Sequence, residues 1–174
     1  VRSRRQRQMC IRDRGYTNVT VFDKNKEPGG MVVYGIPSFV MEKNIVQAEI
    51  DVLRAMGVEI KCGVEVGKDI TIAQLREQGY KAFYVAVGCQ GGRKTGVAGE
   101  DAKGVMTGVE LLHITTDDES YKLTGDTVVI GGGNVAIDVS RTAIRCGSPK
   151  VSQVSLETLS LIHISEPTRL RRIS

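Results

Sequence analysis

The stretch GDTVVIGGGNVAID, residues 125–138, decides the fold of this chain. Its apolar run at 127–130 predicts a strand, and residues 134–146 have the apolar spacing of a helix. Three glycines separate the two segments. The pattern Gly131-x-Gly133-x-x-Ala136, placed between a strand and a helix, is typical of a turn that binds the diphosphate of a dinucleotide.

Each position of this turn has a physical role. Gly131 permits the tight turn, Gly133 lets the backbone approach a pyrophosphate, and Ala136 allows the helix to pack closely on the strand. The helix N-terminus adds unpaired N–H groups and a partial positive charge. The predicted nucleotide-binding residues are Gly131, Gly132, Gly133, Asn134, Val135 and Ala136. The alternative is a glycine turn that serves packing only.

An acid about 20 residues after such a turn binds the ribose 2′-hydroxyl of NAD. Glu157 stands 21 residues after Ala136, at the end of the strand predicted at 150–157. This spacing favours NAD over NADP. The alternative is a solvated carboxylate at a strand end.

A second acid ends a strand near the start of the chain. The segment NVTVFD, residues 18–23, alternates apolar and polar residues and ends on Asp23, where the second strand of another nucleotide-binding unit would place its ribose-binding acid. The stretch EPGGMVVYGIPSF follows, and Gly29 and Gly30 would let its backbone come close to a flat or charged group. A solvated strand-end acid is again the alternative.

The remaining pattern is that of alternating strands and helices. Residues 40–56 predict a long helix, 58–62 and 64–66 short strands, and 81–88 a strand buried in a parallel sheet. Capping boxes at Thr71–Gln74 and Thr107–Glu110 predict the starts of two further helices. This order predicts an α/β fold with mainly parallel pairing and Rossmann-like nucleotide-binding units.

The two ends of the chain differ from the part between them. Residues 8–14 and 159–165 can be back-translated into DNA strings that are reverse complements, apart from one leading base, as expected for a sequencing adapter translated at both ends. We therefore expect residues 1–14 and 159–174 to be adapter-derived and non-native. The alternative is a natural basic arm and an amphipathic tail.

Removing these ends changes the charge of the chain. They contribute +7 to a net charge of +4, so residues 15–158 carry −3. The basic isoelectric point therefore does not indicate a nucleic acid or an anionic membrane as a partner. No apolar run is long enough to span a bilayer. Cys62, Cys89 and Cys146 form no C-x-x-C motif, which favours buried free thiols and a reducing compartment, the cytoplasm.

Three segments in this order carry a family resemblance: residues 19–43, residues 82–105 and residues 125–147. They resemble the FAD- and NAD(P)-binding flavoprotein module of the glutamate synthase small subunit and the N-terminal flavin domain of dihydropyrimidine dehydrogenases. The resemblance covers residues 15–158. It implies a flavoprotein with two dinucleotide-binding domains, of the pyridine nucleotide-disulfide oxidoreductase type, here truncated: 15–104 from the FAD-binding domain and 105–158 from the first part of the NAD(P)-binding domain.

The resemblance also implies roles for individual residues. Asp23 would bind the ribose of the FAD adenosine, Gly30 and Met31 would line the flavin, and the backbone of Val66 would meet the adenine. Ala86 and Gly88 would pass beside FAD. Relatives often carry Arg or Lys at the position of Val40, and often an Arg-Arg pair for a 2′-phosphate near Leu156 and Glu157. The second difference again favours NAD.

The implied reaction passes a hydride from NAD(P)H to FAD, and electrons then go to iron–sulfur clusters in a missing segment, a partner domain or a partner subunit. The sequence offers no convincing acid–base catalyst. Two other interpretations remain open at this point: a flavin-free NAD(P)-binding regulatory module, and a non-functional assembly fragment.

Overall fold

The computed structural model describes residues 18–156 of the chain. The chain divides between Gln90 and Gly91 into two compact units. We describe each unit separately and call them the N-terminal unit and the C-terminal unit. All strand pairing in both is parallel.

The N-terminal unit contains a strand–helix–strand arrangement. Strand β1, Thr20–Asp23, pairs in parallel with β2, Glu59–Cys62, and Asp23 lies opposite Cys62. Two helices connect these strands, α1 at Met31–Tyr34 and α2 at Lys43–Ala55. The predicted strands at 18–23 and 58–62 are thereby confirmed.

Helix α2 has the apolar face predicted from its spacing. Ile50 is buried, and Val46, Leu53 and Met56 are less exposed than their helical neighbours. The helix begins at Lys43 and not at residue 40, because the chain first makes a turn in which Val40 and Met41 donate to the carbonyl of Pro37. Proline is common in such turns, because its ring fixes φ at a value that the turn needs.

Helix α1 was not predicted, because four residues are too few to show helical periodicity. It begins after Gly30, whose φ of 55° is in the left-handed region that favours glycine. Val33 and Tyr34 are each only 3% exposed, so this single turn contributes two of the core side chains of the unit. The Tyr34 hydroxyl accepts a hydrogen bond from the amide of Glu27 at 3.0 Å.

The prediction of a buried strand at 81–88 is wrong for this structure. Among residues 18–156 no strand is assigned to this segment, and Tyr84, Val85 and Val87 are 63–75% exposed. A strand buried in a parallel sheet needs neighbouring strands and a helical layer on each face. The exposure of Tyr84, Val85 and Val87 does not fit a strand that is covered on both faces.

A capping box starts the next helix, as predicted. Helix α3, Ile72–Glu77, has Thr71 as its N-cap, whose hydroxyl accepts from the amide of Gln74, while the Gln74 side chain accepts from the amide of Thr71. The predicted strand at 64–66 is reduced to an isolated bridge between Val66 and Ile70.

The C-terminal unit is a second parallel arrangement. Helix α4, Gly108–Asp117, follows the predicted capping box of Thr107 and Glu110. Strand β3, Thr127–Ile130, leads to helix α5, Asn134–Arg145, and then to β4, Val151–Val154. Val129 of β3 lies opposite Gln153 of β4.

The core of this unit lies between the helices and one face of its sheet. Leu111 and Leu112 of α4, Val129 of β3 and Val139 of α5 form one buried cluster. A Cβ placed on Gly108 would lie 2.9 Å from a methyl group of Val139, so glycine at this position allows α4 and α5 to approach closely. No helix among residues 18–156 is both long enough and apolar enough to cross a membrane.

Candidate functional site

The glycine turn predicted from the sequence joins β3 to α5 in the C-terminal unit. Gly131 has φ of +138°, a conformation that L side chains rarely adopt. Its amide donates to the carbonyl of Val154 at 2.8 Å, which extends the β3–β4 pairing by one residue. The backbone conformation of Gly131 therefore explains why a glycine occupies this position of the tight turn.

The backbone conformation of Gly133, unlike that of Gly131, does not require a glycine. Gly133 is the N-cap of α5 with φ of −77°, which any residue can adopt. A Cβ at this position would have no protein atom within 4 Å. Neither backbone strain nor packing requires glycine here, and the missing side chain leaves open space directly beside the helix N-terminus.

Four consecutive backbone amides lie at this turn, before the first hydrogen bond of α5. The N–H groups of Gly132, Gly133, Asn134 and Val135 have no protein acceptor within residues 18–156. No side chain caps α5. The first pairing in this segment is made by Ala136, whose amide donates to the carbonyl of Gly133 at 2.9 Å. Unpaired amides at a helix N-terminus are suited to an anionic group such as a phosphate.

Ala136 lies where the helix meets the strand. It packs against the buried cluster of the C-terminal unit, and its Cβ would be 3.5 Å from a Cβ on Gly131. This is the close helix–strand packing predicted for the third position of the pattern. Glu157, the predicted ribose-binding acid, lies outside the described residues, and β4 ends three residues before it at Val154.

Asp23 occupies the predicted position at the end of β1 in the N-terminal unit. Its carboxylate Oδ1 accepts a hydrogen bond from the amide of Asn25 at 3.0 Å, and its carbonyl accepts from the amide of Val64. Asn25 is 7% exposed, and its side-chain amide lies 3.5 Å from Oε1 of Gln90. This connects the end of β1 to the end of the segment at 81–88.

A groove in the N-terminal unit brings together three of the predicted cofactor-binding residues, Gly29, Met31 and Gly88. The groove has a volume of about 280 Å³. Two other predicted residues, Gly30 and Ala86, do not line it. Val66, predicted to meet an adenine, is 42% exposed and lies in the isolated bridge with Ile70. The remaining lining residues, which sequence reasoning did not select, are Val32, Val87, Cys89 and Gln90.

Gly29 shapes one wall of this groove. Gly29 has φ of +127°, and a Cβ there would lie 2.4 Å from a methyl group of Val33. The backbone therefore turns tightly against the start of α1. Met31 therefore lines the groove. It directly follows Gly29 and Gly30, the two glycines that were predicted to let the backbone approach a ligand.

Lys43 is a further residue that the sequence pattern did not indicate. Its ammonium donates to the carbonyls of Val32, at 3.3 Å, and of Ile36. It thereby connects the N-terminus of α2 to the chain around α1. Burial lowers the pKa of Lys43, since the charged form loses hydration. No local spacing signals this contact, because it depends on how α1 and α2 pack.

The three cysteines among residues 18–156 are free thiols in different environments. Cys146 is buried, Cys62 is half-buried and Cys89 is exposed at the groove, so the expectation of buried thiols is wrong for Cys89. Burial raises the pKa of Cys62, and the carboxylates of Asp23 and Glu27 raise it further. Burial also raises the pKa of Cys146.

No family model matches this chain. It is 39% identical over 142 residues to the NADPH glutamate synthase small chain of Halomonas elongata, an alignment that covers 76% of this chain and 30% of the relative. It is 35% identical over 153 residues to the NAD-dependent dihydropyrimidine dehydrogenase subunit PreT of Salmonella typhimurium, covering 87% and 36%. The chain is homologous to part of these oxidoreductase subunits. It spans about a third of their length.

A solved structure supports the fold. The Mycobacterium tuberculosis protein FprA in complex with NADPH matches with a TM-score of 0.66 and 23% identity, over 86% of this chain and 39% of that one. The predicted α/β nucleotide-binding fold is therefore confirmed. The resemblance to the glutamate synthase small subunit and to dihydropyrimidine dehydrogenase is confirmed as well.

Proposed function

We propose that this chain is a segment of an FAD-dependent NAD(P)H oxidoreductase, in which the glycine turn after β3 binds the diphosphate of the nicotinamide nucleotide. The observation that carries this proposal is the open space at Gly133. Neither the backbone conformation nor the packing requires a glycine there, and the amides from Gly132 to Val135 have no acceptor among residues 18–156. An anion at this position would complete the hydrogen bonding of the helix N-terminus.

The groove of the N-terminal unit is the proposed contact for FAD. The apolar side chains of Met31, Val32 and Val87 fit one face of a flat ring system, and Gly29 and Gly88 keep side chains away from it. Asp23 would hold the ribose of the adenosine, Gly30 and Ala86 would border the cofactor through the backbone, and Val66 would meet the adenine. These roles come from the family resemblance, which the homology of the chain supports.

The choice between NAD and NADP depends on the end of β4. We propose a slight preference for NAD, because Glu157 and Leu156 stand where an arginine pair would bind the 2′-phosphate of NADP. One of the two relatives is an NADPH glutamate synthase small chain, and the other is a subunit of an NAD-dependent dihydropyrimidine dehydrogenase. Homology to these relatives is therefore compatible with either nucleotide.

The proposed reaction is electron transfer. When bound, FAD would accept the hydride of NAD(P)H and release single electrons to iron–sulfur clusters in a partner domain or subunit. This chain's own residues would bind and orient the two nucleotides. The three free thiols are compatible with a reducing compartment, and we propose the cytoplasm.

The test uses the polypeptide encoded at the source locus, expressed at the length of its relatives. We expect a yellow protein whose visible flavin absorbance is bleached by NADH under anaerobic conditions, and bleached more slowly by NADPH. A colourless protein that binds NADH would instead favour the flavin-free regulatory module. A protein that binds neither nucleotide would overturn the proposal.

A further inference from the structure

The glycine turn is held by a side chain from the neighbouring strand. Nε2 of Gln153, on β4, donates to the carbonyl oxygen of Gly131 at 2.9 Å. The amide of Gly131 donates to the carbonyl of Val154 at 2.8 Å. Strand β4 therefore pairs with both backbone polar groups of Gly131, one through its backbone and one through a side chain.

This contact controls the direction of one peptide plane. In a planar trans peptide, the C=O of Gly131 and the N–H of Gly132 point in opposite directions. With the carbonyl fixed toward Gln153, the amide of Gly132 must point away from β4. Glycine on both sides of this peptide leaves few steric barriers to its rotation, so the local chain by itself does not fix the direction.

A rotated peptide would have an electrostatic consequence. It would turn the carbonyl of Gly131, with its partial negative charge, to the side from which the N–H had pointed. An anion beside α5 would then lose one donor and meet one acceptor. The hydrogen bond from Gln153 opposes this rotation and also satisfies the carbonyl of Gly131.

We propose that Gln153 is a positioning residue for the nucleotide site, which orients the Gly131–Gly132 peptide so that the Gly132 amide donates to the nucleotide diphosphate. This inference rests on the proposed function of the turn. Gln153 itself does not touch the phosphate in this scheme. It acts through the peptide that it holds.

Ser140 supports the glutamine from helix α5. Its hydroxyl lies 3.2 Å from Oε1 of Gln153 and 2.8 Å from the carbonyl of Ala136. A hydroxyl has one proton to donate, so it is shared between these two acceptors. The side chain of Gln153 thus connects the three parts of the unit that meet at the turn: the end of β3, strand β4 and the first turns of α5.

The experiment introduces Gln153→Met and Gln153→Glu into the polypeptide encoded at the source locus, expressed at the length of its relatives, and compares them with the unsubstituted form. Methionine has a similar length but no donor, and glutamate keeps the acceptor for Ser140 but puts an acceptor against the Gly131 carbonyl. Ser152→Ala is the matched control, because Ser152 precedes Gln153 on β4 and points to the opposite face. The measurements are the Gly131 carbonyl ¹³C and Gly132 amide resonances without ligand, the NADH dissociation constant and the thermal unfolding midpoint.

We expect Gln153→Met to shift both resonances, to weaken NADH binding about tenfold, as for the loss of one charge-assisted hydrogen bond, and to leave the unfolding midpoint nearly unchanged. Gln153→Glu should weaken binding at least as much. Ser152→Ala should change none of the three. A general loss of stability would instead lower the unfolding midpoint together with the affinity.

Two outcomes would overturn the proposal, and they differ from each other. Unchanged Gly131 and Gly132 resonances in Gln153→Met would show that the glutamine does not orient the peptide, whether or not NADH binds. Shifted resonances in a chain whose unsubstituted form binds neither NADH nor NADPH would show that the peptide is oriented but that the turn is not a nucleotide site. The second result overturns the proposed function, and with it the role of Gln153 in binding.

Discussion

Oδ1 of Asp23 accepts a hydrogen bond from the backbone N–H of Asn25 at 3.0 Å, in the turn that follows β1. The contact uses one oxygen of the carboxylate. The other oxygen has no hydrogen-bond partner among residues 18–156 and is free to accept from a ribose hydroxyl. The same side chain therefore has two separable roles, in closing the turn and in the proposed ligand binding.

Substitution of Asp23 should separate these roles. Asp23→Asn keeps an oxygen for the amide of Asn25 but removes the charge, whereas Asp23→Ala removes both. We expect both variants to weaken FAD binding, and only Asp23→Ala to lower the free energy of unfolding, by about 1 kcal/mol. Calorimetric titration with FAD and urea unfolding would measure the two effects. An equal loss of stability in both variants would contradict the assignment of the hydrogen bond.

The two outer glycines of the turn should respond differently to alanine. Gly133→Ala fits the observed φ of −77° and meets no protein atom, so we expect unchanged or slightly increased stability. We expect at least tenfold weaker NADH binding, since the methyl group would occupy the proposed phosphate position. Gly131→Ala must adopt φ near +138° and should destabilise the chain by about 1–2 kcal/mol. Thermal unfolding and NADH titration of both variants test this. Full NADH affinity in Gly133→Ala would remove the main support for a nucleotide at the turn.

Removal of the Lys43 ammonium should destabilise the chain around α1. In Lys43→Met the carbonyls of Val32 and Ile36 lose their donor, and we expect a loss of about 1–3 kcal/mol. Lys68→Met is the matched control, because the Lys68 side chain is 75% exposed and its ion pair with Glu65 contributes little. Urea unfolding of the two variants measures the difference. Equal stability of both would show that the Lys43 contacts are not needed.

Lys43 also predicts a pH dependence. Because burial lowers its pKa in the folded chain, the unfolded chain binds more protons between the folded pKa and the ordinary lysine value. The free energy of unfolding should therefore gain a contribution that rises with pH across that window. Lys43→Met should lack this contribution, and Lys68→Met should retain it. Urea unfolding at a series of alkaline pH values would detect the difference.

The three thiols should be alkylated in a fixed order. Cys89 is exposed and should react first with iodoacetamide, followed by Cys62 and then by Cys146, which is 6% exposed. The thiolate is the nucleophile in this reaction, and the pKa of Cys62 is raised. Cys62 should therefore need a higher pH than an ordinary thiol of the same exposure to react at the same rate. Peptide mass spectrometry over time gives the three rates.

A bound flavin should protect Cys89 and not Cys146. Cys89 lines the groove proposed for FAD, whereas Cys146 follows α5 in the C-terminal unit. Comparison of their alkylation rates with and without added FAD uses Cys146 as the internal control. Equal protection of both thiols would indicate a general effect on the fold, and no protection of Cys89 would argue against flavin in the groove.

The elements that could be predicted from the sequence are those with local signals. The two capping boxes, at Thr71 and Thr107, need only residues three apart, and the glycine turn needs six consecutive positions. The segment at 81–88 shows the limit of this approach. Its composition is typical of a buried strand, but burial depends on segments distant in sequence, and Tyr84, Val85 and Val87 are exposed in the structure.

The sequence by itself determined the turn between β3 and α5 and the residue types suited to a phosphate, because backbone conformation and helix ends depend on neighbouring residues. Only the tertiary structure decided what holds that turn and what surrounds the groove. Gln153 reaches Gly131 because β3 and β4 pair in parallel in one register, and Gly29 and Gly88 line one groove because the chain folds back over 59 residues. Such contacts depend on packing between distant segments, which leaves no periodic signal in the sequence.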